Sequence, residues 1–192
     1  MTVALSSTAV GHYVLDKGTS RFTLRAFAGG MLSAMGHNPT IAIRDFSGEV
    51  NFDPAEPQKG TLHLQIRSDS LEVTDDMKSA DRKEMESTMR QQVLQSAQYP
   101  DITFDAGVAS ANSSGEGRFQ VSLNGTLSLR GATGSAPLTA QLTVLGDVLR
   151  ASGEFSLLQT DYGIPLVSVA GGALKLKDEL KFTFDIVARK QE

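Results

Sequence analysis

The residues of this chain that could do chemistry are few, and they do not converge. Cysteine is absent from the 192 residues, which removes thiolate nucleophiles, thiolate metal sites and disulfides together. The three histidines, His12, His37 and His63, lack the H-x-x-x-H or H-E-x-x-H spacing that would aim two ring nitrogens at one metal. His63 falls on the polar side of its segment and reads as solvated. His37, within Met35-Gly36-His37-Asn38-Pro39, reads as a loop residue. There is no nucleophile elbow, phosphate-binding loop or dinucleotide fingerprint. Asp105, Glu154 and Asp185 alternate with apolar neighbours and therefore lie on wet faces, where neither burial nor a close partner would tune an acid–base pair. Reactive groups that could still meet, His37, Asp161 and Tyr162, belong to loops. The sequence calls for no enzyme, no cofactor and no metal.

The elements that would position any site are strands. Apolar residues recur at every second position in Phe22, Leu24 and Ala26; in Leu62, Leu64 and Ile66; and in Ile102, Phe104, Ala106 and Val108. The longest run takes Phe119, Val121, Leu123, Gly125, Leu127 and Leu129. It is followed by Leu138 to Val144, Ala151 to Leu157 and Leu180 to Ala188. A helix cannot put alternate residues on one side, so each run is a strand with one wet face. Between Ile43 and Phe46 the phase slips from odd to even, which predicts a bulge near Arg44-Asp45. Gly146-Asp147 suits a two-residue type II′ turn, and Asn112 to Gly115 and Gly131 to Gly134 read as longer hairpin loops. The stretch 77–97 holds good helix formers without Gly or Pro. Met85, Met89 and Val93 make one apolar stripe on it, and Asp75 and Asp76 suit the positive end of its dipole. That helix either packs outside the sheet or lies over one mouth, with methionines adapting to a flexible ligand.

A net charge of −4 gives no basic footprint for nucleic acid, and no polybasic segment draws the chain to a membrane. No run of about eighteen apolar residues occurs, so integral insertion is not expected. The first ten residues do not read as a signal peptide; the expectation is a cytoplasmic protein, or a periplasmic one if a leader was removed.

The inward positions carry no charge and include many small residues: Ala26, Ala106, Gly125, Ala140, Ala151, Gly153 and Ala188. An eight-stranded barrel is just wide enough to be filled by side chains or to hold one small ligand, and a mixture of large and small residues leaves room along the axis or merely fits a taper. Inside an apolar tunnel a polar ligand would lose hydration without partners, whereas a hydrocarbon gains roughly 0.8 kcal/mol per buried CH₂ before binding costs. A strand of about ten residues tilted by about 40° gives a barrel roughly 25 Å tall, suited to an extended chain. Candidate ligand-binding residues are Phe22, Leu24, Phe46, Leu64, Ile66, Met85, Met89, Phe104, Leu127, Leu142, Phe155 and Phe184. Alternatives stay open: an interaction module with a filled barrel and a partner surface at Leu145, Leu158 and Val187, or an enzyme using His37, Asp161 and Tyr162 at the mouth.

Several segments resemble the YceI-like family of polyisoprenoid-binding, lipocalin-like proteins. They are Tyr13-Val14-Leu15-Asp16 with Ser20-Arg21-Phe22; Phe46 to Pro54; Tyr99 to Phe104; Gly125 to Thr133; and Thr160-Asp161-Tyr162-Gly163-Ile164. The resemblance implies a closed eight-stranded antiparallel barrel with one helical insertion, occupying residues 13–192 after an extension of residues 1–12. It also implies a pocket for an isoprenoid chain, such as a polyprenyl phosphate or quinone tail, and a possible homodimer.

Overall fold

In a computed structural model the chain is described over residues 10–30 and 38–192. Eight antiparallel strand positions follow one another round a closed barrel. They are β1 (Gly11–Leu15, continued by Arg21–Arg25), β2 (Thr40–Ile43 and Phe46–Phe52), β3 (Thr61–Arg67 and Leu71–Val73) and β4 (Asp101–Gly115). The circuit continues with β5 (Arg118–Leu129), β6 (Ala132–Ser135 and Leu138–Leu145), β7 (Val148–Leu158) and β8 (Glu179–Lys190). β8 closes the ring by pairing with both halves of β1 (Leu15↔Ala188 and Phe22↔Phe184). Closure removes the long sheet edges, which is how an all-β protein limits edge-to-edge association, and leaves the three-residue strand Leu71–Val73 paired on one side only.

β1 begins at Gly11, two residues inside the expected extension, because Gly11 and His12 pair with Phe52 and Asn51. The slip expected in β2 is present at Arg44-Asp45: inward burial passes from Ile41 and Ile43 to Phe46, Gly48 and Val50. β3 breaks opposite, where Ser68 donates its hydroxyl to the Tyr99 carbonyl (2.7 Å) and Arg44 N–H reaches the Ser70 carbonyl.

Two loop assignments are corrected. Asn112 to Gly115 is the end of β4, and the reversal falls on Glu116-Gly117. Ala132 to Ser135 is strand, and the reversal is Arg130-Gly131, with φ of +53° and +75°. A two-residue turn with both φ positive has the twist that a hairpin needs, and the Arg130 guanidinium donating to the Gly163 carbonyl helps hold it. Gly146-Asp147 does form the expected two-residue hairpin.

The helix is shorter than 77–97. α1 spans Ser79–Thr88, and a π turn, Met89–Val93, follows it. Asp75 does not serve the helix dipole; its carboxylate accepts the Thr40 N–H (2.7 Å) and ties the segment to β2. The far end stops where Gln95 turns left-handed (φ +50°). A small sheet of Ala28–Gly29, Ser168–Val169 and Leu174–Leu176 lies at the same end of the barrel as α1. No helix among the described residues is long and apolar enough to cross a membrane.

Candidate functional site

Turns 53–60, 116–117 and 146–147 gather at one end of the barrel, and the aromatic residues beside them form a floor. Phe52 meets Phe119 edge-on at 5.4 Å, Tyr13 is buried, and Leu149 and Ala188 are wholly inaccessible. Burial pushes the Tyr13 phenol above its ordinary pKa, with Asp147 and Asp53 adding to the effect. Above the floor lies a cavity of about 580 Å³. The filled-barrel reading therefore does not describe this interior.

Of the twelve residues expected to line it, eleven do: Phe22, Leu24, Leu64, Ile66, Met85, Met89, Phe104, Leu127, Leu142, Phe155 and Phe184. Phe46 is the correction. It is buried and meets the Phe22 ring edge-on at 4.8 Å, so Phe22 rather than Phe46 faces the space. The small residues also divide. Ala26, Ala140 and Ala151 are on the cavity wall, and Ala106 and Ala188 are not. Gly125 and Gly153 do not make room: a Cβ on Gly125 would lie 2.3 Å from the Phe104 ring, and one on Gly153 would lie 2.7 Å from Phe184. Each glycine is bare so that a neighbouring ring can lie flat over the strand.

The other end is the mouth. Met85, Thr88, Met89, Val93 and Leu94 of the helical segment line the cavity, as do Ile164, Val167 and Leu176 from the long β7–β8 connection. The helix thus covers the opening, and Glu86 anchors it by accepting the Val73 N–H (3.0 Å). The wall meets solvent at Asp81, Glu84, Ser168 and Lys175. Leu94 is absent from the stripe of Met85, Met89 and Val93, spaced by four, because the π turn places it five residues after Met89 (Leu94 N–H to Met89 carbonyl, 2.8 Å).

One polar wall residue is fully enclosed. Gln159 is 2% exposed, and its Nε2 donates to the Lys177 carbonyl (2.9 Å). It continues the inward phase of Phe155 and Leu157, so the alternation that marks β7 reaches it. Near the floor, Asn51 and Thr61 also touch the cavity, but Asn51 donates to the Thr61 hydroxyl (3.1 Å) and accepts from His12 (3.0 Å).

The dispersed reactive groups stay apart. His63 donates to Asp105 (2.6 Å) on the outer surface, and Asp185 receives two bonds from Arg150 (2.9 and 2.6 Å), which hold its carboxyl below the usual range. Glu154 is exposed. Asp161 is exposed, whereas Tyr162 is buried beside Gly134, its phenol raised by burial and by Asp161; neither lines the cavity. His37 lies outside the described residues. Among those residues no cluster of three or more His, Asp or Glu could hold a metal ion. Leu145, at the end of β6 opposite Val148, and Leu158, at the far end of β7, are exposed. They are about 30 Å apart along the strand and form no common surface.

A closed meander around an apolar cavity, floored at one end and covered by a helix at the other, defines a lipocalin-like ligand-binding barrel. The chain belongs to the YceI-like domain family, whose family model matches residues 13–188. Among solved structures it is similar to Burkholderia cenocepacia BcnA, at 18% identity over 90% of this chain and 98% of that one, with a TM-score of 0.68. It is also similar to a polyisoprenoid-binding domain from Saccharophagus degradans implicated in plant cell wall breakdown, at 13% identity over 95% and 100%, TM-score 0.67. A Campylobacter jejuni YceI protein aligns at 16% identity over 82% and 88%, TM-score 0.58. No curated protein matches the sequence.

Proposed function

We propose that this protein stores or carries one long apolar lipid of isoprenoid type, its tail against the Phe52–Leu149 floor and its polar end beside Gln159 at the mouth. The observation that carries the reading is the cavity itself: about 580 Å³ walled almost wholly by hydrocarbon. Such a space offers a sugar or nucleotide no partners, and each unpaired polar group would cost on the order of a few kcal/mol. It also lies within the usual range for ligand sites. The polyisoprenoid-binding domain of the same fold supports isoprenoids over other hydrocarbons.

Size bounds the ligand. A cavity of about 150 Å³ takes one benzene, so this one accommodates roughly two dozen carbons, and a longer chain would emerge past α1. The polar end falls at the mouth because the Asn51 and Thr61 side chains near the floor already bond to each other. The test is organic extraction of the purified protein followed by mass spectrometry. An apolar lipid near one equivalent supports the reading. Protein that yields no lipid and takes up no neutral fluorescent probe, such as N-phenyl-naphthylamine, refutes it.

A further inference from the structure

Charge is unevenly distributed round the mouth. Arg25 and Lys181 face each other across the β1–β8 pairing, and both reach over the half-buried ring of Phe27, 5.8 and 5.9 Å from its centroid. Lys177 packs over Gly29 and donates its backbone N–H to the Phe27 carbonyl (2.7 Å). Lys175 pairs with Gly29 in the small sheet and lines the cavity. All four cations are exposed. Among the described residues none of the four has a carboxylate within ion-pair distance, whereas Lys17, Arg44, Lys59, Arg67, Arg90, Arg150 and Arg189 each have at least one. Asp178, bonded to the Thr160 backbone N–H and hydroxyl (2.9 and 2.6 Å), and Glu179, exposed at the rim, both carry charge beside the group, so four cations against two carboxylates leave an excess of two positive charges on this side. Across the mouth the helix presents Asp81 and Glu84 instead.

We propose that this basic rim, Arg25, Lys175, Lys177 and Lys181 around Phe27, docks the barrel mouth on the surface of an anionic lipid bilayer. Four unpaired cations held together on a chain of net charge −4 repel one another unless an anionic surface faces them. A phospholipid surface supplies many negative charges in one plane, and adjacent basic side chains add their attractions there. The Asp81 and Glu84 carboxylates at the opposite side of the opening make docking one-sided, so the barrel tilts with Phe27 toward the headgroups. That this tilt serves lipid transfer rests on reading the cavity as a lipid site; the docking itself rests on the charge arrangement alone.

The test is co-sedimentation of the full chain with vesicles of phosphatidylcholine alone and of an equimolar phosphatidylcholine–phosphatidylglycerol mixture. Binding is expected to the mixed vesicles only and to weaken with salt. Each basic side chain near such a surface contributes on the order of fivefold, so Arg25→Gln/Lys177→Gln/Lys181→Gln should lose about a hundredfold. Lys59→Gln/Arg118→Gln/Lys190→Gln makes the same charge change at the floor end and should bind like the parent. No binding to mixed vesicles, equal binding to neutral ones, no loss in the rim variant, or equal loss in both variants overturns the proposal. Uptake of N-phenyl-naphthylamine in vesicle-free buffer, read on all three proteins after delipidation, keeps the two readings separate. Uptake without vesicle binding refutes the docking alone, whereas rim-dependent vesicle binding without uptake upholds the docking and refutes the cavity reading.

Discussion

Replacing Ala140 by phenylalanine would put a ring into the cavity from its own wall. Ala140 is 5% exposed, sits on β6 across from Val121, and lines the empty space. A ring occupies the room of one benzene, roughly a quarter of the volume, and displaces about six carbons of a bound chain. At about 0.8 kcal/mol per CH₂ the gross loss approaches 5 kcal/mol. A flexible chain recovers part of that by shifting toward the mouth, so the expected fall in affinity is at least about a hundredfold. The delipidated variant behaves differently. A ring entering free space gains up to about 2 kcal/mol by burial, and a chain of this length gains about 2–4 °C in Tm per kcal/mol. If Ala140 instead abutted a packed core, overpacking would cost about 1–3 kcal/mol and Tm would fall. Calorimetry on delipidated protein and titration with N-phenyl-naphthylamine read the two quantities independently. A Tm held or raised with binding lost is the expected result; a Tm lowered by several degrees with binding retained refutes the reasoning.

Gly125→Ala should do the opposite, lowering Tm through about 1–3 kcal/mol of overpacking, because its new methyl meets the Phe104 ring at 2.3 Å and the Ala136 carbonyl at 2.6 Å; an unchanged Tm would show that the ring yields freely. Glu86→Ala removes the carboxylate that accepts the Val73 N–H, a bond worth about 1.5–3 kcal/mol when charged, so amide exchange over 79–93 should quicken and bound ligand should leave faster, both absent if the helix is held otherwise. Three carboxylates are held below their ordinary range: Asp16 by its bond from Arg189, Asp178 by the Thr160 hydroxyl and Asp185 by Arg150. Unfolding raises their affinity for protons, so their contribution is complete above about pH 4 and is lost as the pH falls through the lowered folded values. Melting should therefore hold down to about pH 5 and drop as the pH falls from about 4 toward 2, less steeply in Arg150→Met, and a flat profile below about pH 4 would contradict the assignment.

The wall was legible because every strand has one wet face, so alternation alone separated Phe104 and Leu127 from Asp105 and Thr126. What it could not supply was which inward residue stands in front of another. Phe46 has the right phase, yet the Phe22 ring faces the cavity in its place. Gly125 and Gly153 look like open space in one dimension, but cross-strand register lays Phe104 and Phe184 over them. Gln159 was within reach, since it follows Phe155 and Leu157 in phase, but the eye stops where hydrophobicity does. The basic rim is invisible in any window, because it joins Arg25 to residues 175–181 through the β1–β8 pairing and the small sheet.

Nine phenylalanines would go far toward filling a barrel of this width. Instead they are held against the wall and the floor. Phe104 and Phe184 cover glycines, Phe155 stacks on Phe182 at 4.8 Å, Phe22 meets Phe46, Phe52 meets Phe119, and Phe27 lies under Arg25 and Lys181. Each pairing gives a ring contacts along the sheet and keeps it from crossing the axis. At the rate seen for engineered cavities, leaving about 580 Å³ empty forgoes contacts worth on the order of ten kcal/mol, which is as large as the net stability of an ordinary domain. The hollow is therefore not a neutral by-product of barrel closure. A bound chain restores those contacts, so the lipid-loaded protein should melt well above the delipidated one, with a difference that grows with ligand concentration.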